Sequence, residues 1–249
     1  MTESVPQLVG HRGYPARYPE NSLSGFRAAI DAGARHLEMD VQMCADGELV
    51  VLHDDNLLRT AGVDQSIFSL SSSQLAAVSV HQPARFGQRF DPEPLLRLPQ
   101  MLQALMRHQG LRLYVEIKQE SIGYFGLPAV MQKLAADLQP CGSMCVMISF
   151  CAEAVAWMQQ RGGLRCGWVI ERYDTAHRQR AQVLQPDWLV CDQRKVPSQA
   201  ALWPGDWQWM LYGVETLALL QAAQQRGAAL AESDRVGELL LEVEGLRHG

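Results

Sequence analysis

From residue 99 onward the chain alternates short apolar runs with amphipathic ones, a rhythm that few folds accommodate. Helical spacing over 100–108 leads to a strand over 111–117, and helix 127–138 leads to strand 145–150. Helix 152–160 precedes strand 165–170, and helix 175–184 precedes strand 188–192. A short helix near 199–203 comes before strand 208–214, followed by helix 216–225, strand 228–232 and a closing helix over 236–243. Near the start, Gln7 to Gly10 forms a strand. Asn21 or Ser22 then caps a helix carrying Leu23, Phe26, Ala29 and Ile30 on one face, as far as Ala32-Gly33. With a second strand through Glu38, this makes eight βα units in 249 residues, the size and rhythm of an α/β chain closed into a TIM (β/α)8 barrel. An open doubly wound sheet shares the alternation, but no glycine-rich phosphate loop follows the first strand here.

The second strand carries an extension. Between Glu38 and Asp54, two alternating apolar segments flank Asp46-Gly47, a dipeptide suited to a tight antiparallel turn. If these two residues form the loop, Asp40 sits opposite His53. Met39, Val41, Met43, Val50 and Leu52 then face the core, and Glu38, Asp40, Gln42 and His53 share the other face. A bulged turn would slip the pairing by one residue and bring up Asp54 instead. Residues 56–99 carry turn signals such as Ala61-Gly62 and Pro92-Glu93-Pro94. They read as an insertion after the hairpin with a helix over 72–78, inside a single domain spanning 1–249.

Composition excludes several classes. A formal net charge of −5 leaves no basic footprint for nucleic acid. The first seven residues lack the positive start and apolar run of a signal peptide, and no apolar stretch is long enough to span a bilayer, so the expected location is the cytoplasm. Cys44, Cys141, Cys145, Cys151, Cys166 and Cys191 have no paired zinc spacing and read as buried reduced thiols. Nothing in the sequence specifies an oligomeric state.

Barrel enzymes place their chemistry at the C-terminal ends of the strands. That rule gathers His11 and Arg12 from the first strand, Glu38 and Asp40 from the second, His53 from the hairpin, and Glu116 and Lys118 from the third. Glu38, Asp40 and Glu116 form a hard oxygen site suited to one Mg²⁺ or Ca²⁺ ion. Arg12 offers a fork matched to two phosphate oxygens, and Lys118 adds a point charge. His11 and His53 on either side could supply one base and one acid for displacement at phosphorus. Glu20 either orients Arg12 or His11 or favours the positive end of the following helix. Tyr124 and Phe125, in the loop after the third strand, could contact the leaving alcohol.

The ordered set His11-Arg12-Gly13, Pro19-Glu20-Asn21-Ser22, Glu38-Met39-Asp40-Val41, His53-Asp54 and Val115-Glu116-Ile117-Lys118 resembles the glycerophosphodiester phosphodiesterase family. Ile148-Ser149-Phe150 and Glu232-Ser233-Asp234 extend the likeness more loosely across the chain. The resemblance implies a TIM barrel with a small insertion after the hairpin. It also implies metal-dependent hydrolysis of a small-molecule glycerophosphodiester to an alcohol and glycerol 3-phosphate, with His11 and His53 as the acid and base pair in an order left open. In the family mechanism the neighbouring glycerol hydroxyl attacks phosphorus, and water opens the cyclic phosphate. Glu20 and Asn21 match supporting positions, and Phe150 and Tyr212 match places where substrate is contacted. Two departures stand out. Tyr212 and Glu215 replace the Trp and Asn of a Trp-Thr-Val-Asn run, and Ser233 stands where Thr is usual, which bears on substrate preference. A lysophospholipase D-like or phospholipase C-like activity is the neighbouring alternative. A catalytically silent phosphate-binding protein is the non-enzymatic one, although binding alone needs no histidine pair.

Overall fold

The computed structural model describes residues 5–198 and 200–248. Its first strand, β1 (Gln7–Gly10), is followed by helix α1 (Leu23–Asp31), β2 (His36–Met43) and the short return strand β3 (Leu49–Val51). Three helical turns, α2 (Leu58–Ala61), α3 (Ser72–Leu75) and α4 (Pro83–Phe86), lie between β3 and α5 (Leu98–Leu105). The alternation then runs β4 (Arg112–Ile117), α6 (Gln119–Phe125), α7 (Leu127–Leu138), β5 (Cys145–Ser149), α8 (Ala152–Trp157) and β6 (Cys166–Ile170). It ends with α9 (Thr175–Leu184), β7 (Trp188–Asp192), β8 (Gln208–Tyr212), α10 (Leu217–Gln225), β9 (Leu230–Ser233) and α11 (Val236–His248). Because β1 pairs in parallel with both β2 and β9, eight strands close into a TIM barrel, and β3 pairs only with β2, antiparallel.

Local chemistry starts the helices where the sequence indicates. The side chains of Ser22, Asp174 and Thr216 accept hydrogen bonds from the amides of Gly25, His177 and Leu219, capping α1, α9 and α10. Alternation along the strands then makes two cores. Val9, Tyr114, Ile148, Val169, Val190, Met210 and Leu230 fill the barrel interior. Met39, Val115, Met147, Leu189 and Leu211 face the helical layer. One further step along the interior side carries Val9 to His11, Tyr114 to Glu116, Ile148 to Phe150, Met210 to Tyr212 and Leu230 to Glu232, so the layer above the apolar plug is polar apart from Phe150.

The hairpin departs from the two-residue turn. Gln42 pairs with Val50 and Met43 with Leu49, while Cys44 N–H bonds the Glu48 carbonyl at 2.9 Å. The loop is therefore Ala45-Asp46-Gly47, with Gly47 at φ 79°, a three-residue turn whose last residue needs the left-handed region. Asp40 consequently stands opposite Leu52, whose N–H it accepts at 3.0 Å, and not opposite His53. The returning arm also reverses its faces. Leu49 and Val51 join the helical-layer core, whereas Val50 and Leu52 join Cys44, Leu57, Ile67, Leu75 and Leu95 in a separate small core under residues 56–97.

Three other expectations change. The segment after β4, read as a loop, is helix α6. No helix occupies 200–203, and Gln199 lies outside the described residues; Trp203 instead stacks on Tyr173 at 4.2 Å and accepts from the Trp209 indole at 3.0 Å. The helix placed over 72–78 ends at Leu75. All six cysteines are free, with only Cys151 partly exposed. Among the described residues no helix is long and apolar enough to cross a membrane.

Candidate active site

The turn after β1 begins the site. Arg12 adopts φ 48°, a left-handed conformation costly for a side-chain-bearing residue, and this aims its N–H at Glu38 Oε2, 3.0 Å away. Gly13 follows at φ 90°, and a Cβ there would meet the Gly25 and Phe26 backbone at 2.9 Å. Asn21, also left-handed at φ 54°, donates its N–H to the Arg12 carbonyl and its side-chain amide to Asp40 Oδ2 at 2.9 Å. Asn21 thus holds the first loop onto the second strand, while Ser22 takes the capping role.

Glu38, Asp40 and Glu116 are buried, and one oxygen from each lies within 4.8 Å of the others. Burial raises all three carboxyls; the outcome depends on the neighbouring charges. Asp40 lies 2.9 Å from Arg12 Nε and 3.4 Å from Lys118 Nζ, and these cations hold it well below the usual carboxylate range. Glu38, facing Asp40 and Glu232, is pushed well above that range. Glu116 is also raised by burial, against the pull of Lys118 at 2.6 Å. Glu38 Oε1 is buried without a hydrogen-bond partner. A converging set of hard oxygens that includes one unsatisfied buried acceptor fits a divalent cation of the Mg²⁺ or Ca²⁺ type.

The two histidines are anchored alike. His11 Nδ1 lies 2.6 Å from Asp234 Oδ1, and its Nε2 is 3.5 Å from Glu232 Oε1. Burial works to lower the His11 pKa, but Glu232 and Asp234 outweigh it and push it up to about 10. His53 Nδ1 is 2.5 Å from Asp54 Oδ1. Arg59 binds Asp54 at 2.7 Å with its Nε and grips Glu20 at 2.6 and 2.8 Å with its two terminal nitrogens. Glu20 accepts from Arg12 at 3.1 Å as well, so it orients Arg12 and is itself held by α2. A continuous chain of charges thus runs from His53 through Asp54, Arg59, Glu20 and Arg12 to Asp40.

His11, Arg12, His53, Glu116, Lys118, Phe150, Tyr212 and Glu232 line one pocket of about 230 Å³ at the C-terminal end of the barrel, and Glu38 and Asp40 lie behind it. Lys118 Nζ stands 6.0 Å from the Phe150 ring centre. Tyr124 is not brought in. It lies on α6, 65% exposed, and stacks on Phe68 at 4.7 Å, because the helix turns it toward the segment between β3 and α5. A larger depression of about 690 Å³ opens at the other end of the barrel, beside His36, Arg112 and Arg165, and among the described residues no carboxylate lines it.

Sequence reasoning passed over Glu232 and Asp234 as site members, although the strand-end rule that selected Glu116 applies equally to Glu232. Arg59 carries no such signal, since it sits in a segment without periodicity and bonds a residue 39 positions away.

Residues 11–125 match the model of the Glycerophosphoryl diester phosphodiesterase family. A glycerophosphodiester phosphodiesterase of Caldanaerobacter subterraneus subsp. tengcongensis is 28% identical over 127 residues, 51% of this chain and 50% of that one. A protein of the same name from Bacillus altitudinis is 26% identical over 135 residues, 54% of this chain and 53% of its own. The matched stretch thus spans about half the length of these relatives. An Oleispira antarctica phosphodiesterase, solved in complex with the product sn-glycerol-3-phosphate, superposes with a TM-score of 0.83 at 20% identity, covering 96% of this chain and 97% of that one. A glycerophosphodiester phosphodiesterase from Agrobacterium tumefaciens gives 0.76 at 21% identity over 95% and 99%. The barrel is therefore shared along nearly the whole chain, and the three clustered acids and both histidines fall inside the matched segment. The chain is thus similar to the glycerophosphodiester phosphodiesterase family, by sequence over residues 11–125 and by fold over nearly its full length.

Proposed function

We propose that this chain hydrolyses glycerophosphodiesters to an alcohol and sn-glycerol 3-phosphate, acting as a single-domain, divalent-cation-dependent phosphodiesterase. The observation that carries the reading is the convergence of two carboxylate-anchored imidazoles, two cations and a buried trio of acids on one small pocket. Glu38, Asp40 and Glu116 hold the cation, Mg²⁺ or Ca²⁺. When bound it neutralises charge on the phosphate and on the oxygens that change partners.

The chain's own groups do the rest. Lys118 and Arg12 bind phosphate oxygens, and Glu20 and Asn21 keep Arg12 and Asp40 in place. Asp54 and Asp234 each hold the Nδ1 edge of an imidazole, which leaves Nε2 of His53 and His11 facing the pocket. One imidazole accepts the proton of the attacking glycerol hydroxyl and the other protonates the departing alkoxide, leaving a cyclic phosphate; with the roles exchanged, the pair then takes a proton from water and returns one to the ring oxygen as the cycle opens to glycerol 3-phosphate. Phe150 and Tyr212 contact the organic part of the substrate. A silent binding protein would need the cation and Arg12 but no paired imidazoles.

The test is to incubate purified protein with glycerophosphocholine and follow glycerol 3-phosphate with and without chelator. Cation-dependent release is expected. No product with any divalent ion or any glycerophosphodiester headgroup overturns the reading.

A further inference from the structure

Glu232 is 4% exposed, yet its carboxylate lines the pocket and accepts no hydrogen bond among the described residues. His11 Nε2 stands 3.5 Å from it, beyond good hydrogen-bond length, and a Glu38 oxygen lies within 4.8 Å of both groups. In register it stands between Val9 of β1 and Tyr212 of β8, above Leu230, and across the pocket are Ile148, Val169 and Val190. A carboxylate among such walls is costly unless donors meet it. The Tyr212 hydroxyl lines the same pocket and is also without a hydrogen bond among the described residues. Beside the His11–Glu38 cluster, the carboxylate of Glu232 and the hydroxyl of Tyr212 are therefore both open to a ligand, with apolar walls across the pocket.

The ligand chemistry follows from what else is present. A cationic group lodged against Glu232 itself would share the pocket with Arg12 and Lys118, which oppose it. A neutral hydroxyl meets no such opposition and donates to the carboxylate. A volume of about 230 Å³ lies below the roughly 300–1,000 Å³ of sites for drug-sized molecules. It suits a short carbon chain attached to the phosphate.

We infer that Glu232 is a specificity-determining residue: it accepts a hydrogen bond from a hydroxyl of the chain esterified to phosphate and so selects polyol phosphates over hydroxyl-free ones. The inference rests on the phosphodiesterase reading and adds to it the residue and the group through which substrate is chosen. A site built to pair a hydroxyl rejects the analogue lacking it, because its own buried polar group is then left unpaired.

The test compares dissociation constants of sn-glycerol 3-phosphate and n-propyl phosphate by titration calorimetry in saturating Mg²⁺, for wild type, Glu232→Leu and Glu232→Gln. Wild type is expected to prefer glycerol 3-phosphate by about tenfold or more. Glu232→Leu should bring the two ligands to within about twofold of each other, with propyl phosphate binding changed less than about threefold. Glu232→Gln, which keeps shape and an acceptor, should retain an intermediate preference. If Glu232→Leu does not fold by circular dichroism, the Gln variant decides, and a wild-type ratio there overturns the inference. Equal weakening of both ligands, as expected if Glu232 acts through His11 or holds a cation, overturns it too. Glycerol 3-phosphate release from glycerophosphocholine is measured in parallel. Turnover without ligand preference overturns this inference alone, and preference without turnover overturns the phosphodiesterase reading alone.

Discussion

Arg59 grips Glu20 through both terminal nitrogens, at 2.6 and 2.8 Å, across 39 residues of chain. With its third nitrogen on Asp54, one side chain from α2 steadies the partners of both His53 and Arg12. Arg59→Ala should lower kcat for glycerophosphocholine about 10–100-fold, the usual range for losing a group that orients a site. Arg59→Lys should not restore it, because an ammonium cannot reproduce the fork. Steady-state kinetics beside a melting curve check this; a kcat within twofold of wild type would show the network to be idle.

The histidines give a second prediction. His11→Ala and His53→Ala should each cost about 10²–10⁴-fold or more in turnover while the melting transition persists, since both lie above the apolar plug and outside it. A near-normal rate in either variant removes that residue from the chemistry.

Cation binding should stabilise the protein by an amount that grows with the logarithm of ligand concentration, about 2.7 kcal/mol at one hundred times the dissociation constant. Glu116→Gln should abolish this increment. Glu38→Gln should abolish it as well, yet melt no lower than wild type in chelator, because the substitution relieves a carboxyl crowded by Asp40 and Glu232. Scanning calorimetry with Mg²⁺ and with EDTA separates the two effects. A lower melting point for Glu38→Gln in EDTA contradicts the repulsion argument.

A fourth prediction concerns pH at the opposite end of the barrel. His36 is lowered from 6.5 to about 4 by burial and by Arg112. Its folded-state value is depressed, so between these two values the unfolded chain binds the proton and the native one does not. The stability associated with neutral His36 is complete above pH 6.5 and is lost as pH falls toward about 4. His36→Gln should therefore lose less melting temperature than wild type between pH 7.5 and 4.5. Parallel pH profiles for the two proteins would exclude the effect.

The barrel and most of its rim were legible because two periodicities act together. A repeat of two decides which strand residues point inward, and the C-terminal strand end decides which of those gather at the rim, so Glu38, Asp40, Glu116 and Lys118 could be named as one cluster. The hairpin register was not legible, since Asp46-Gly47 suits a two-residue turn and equally the last two places of a three-residue one. The longer turn moved Val50 and Leu52 into the small core under 56–97. His53 reaches the pocket because β3 ends at Val51 and the chain bends there, not by strand alternation. Tyr124 was misplaced for a related reason, as Gln119–Phe125 forms a helix that turns it onto Phe68 of the segment between β3 and α5.

The small core beneath residues 56–97 is separate from both barrel cores, yet the same segment supplies Arg59. Opening that lobe would release Glu20 and Asp54 together while the eight-stranded wall stayed closed. Loss of turnover on warming would then precede loss of secondary structure, making catalysis a thermometer for one corner of the molecule and not for the whole.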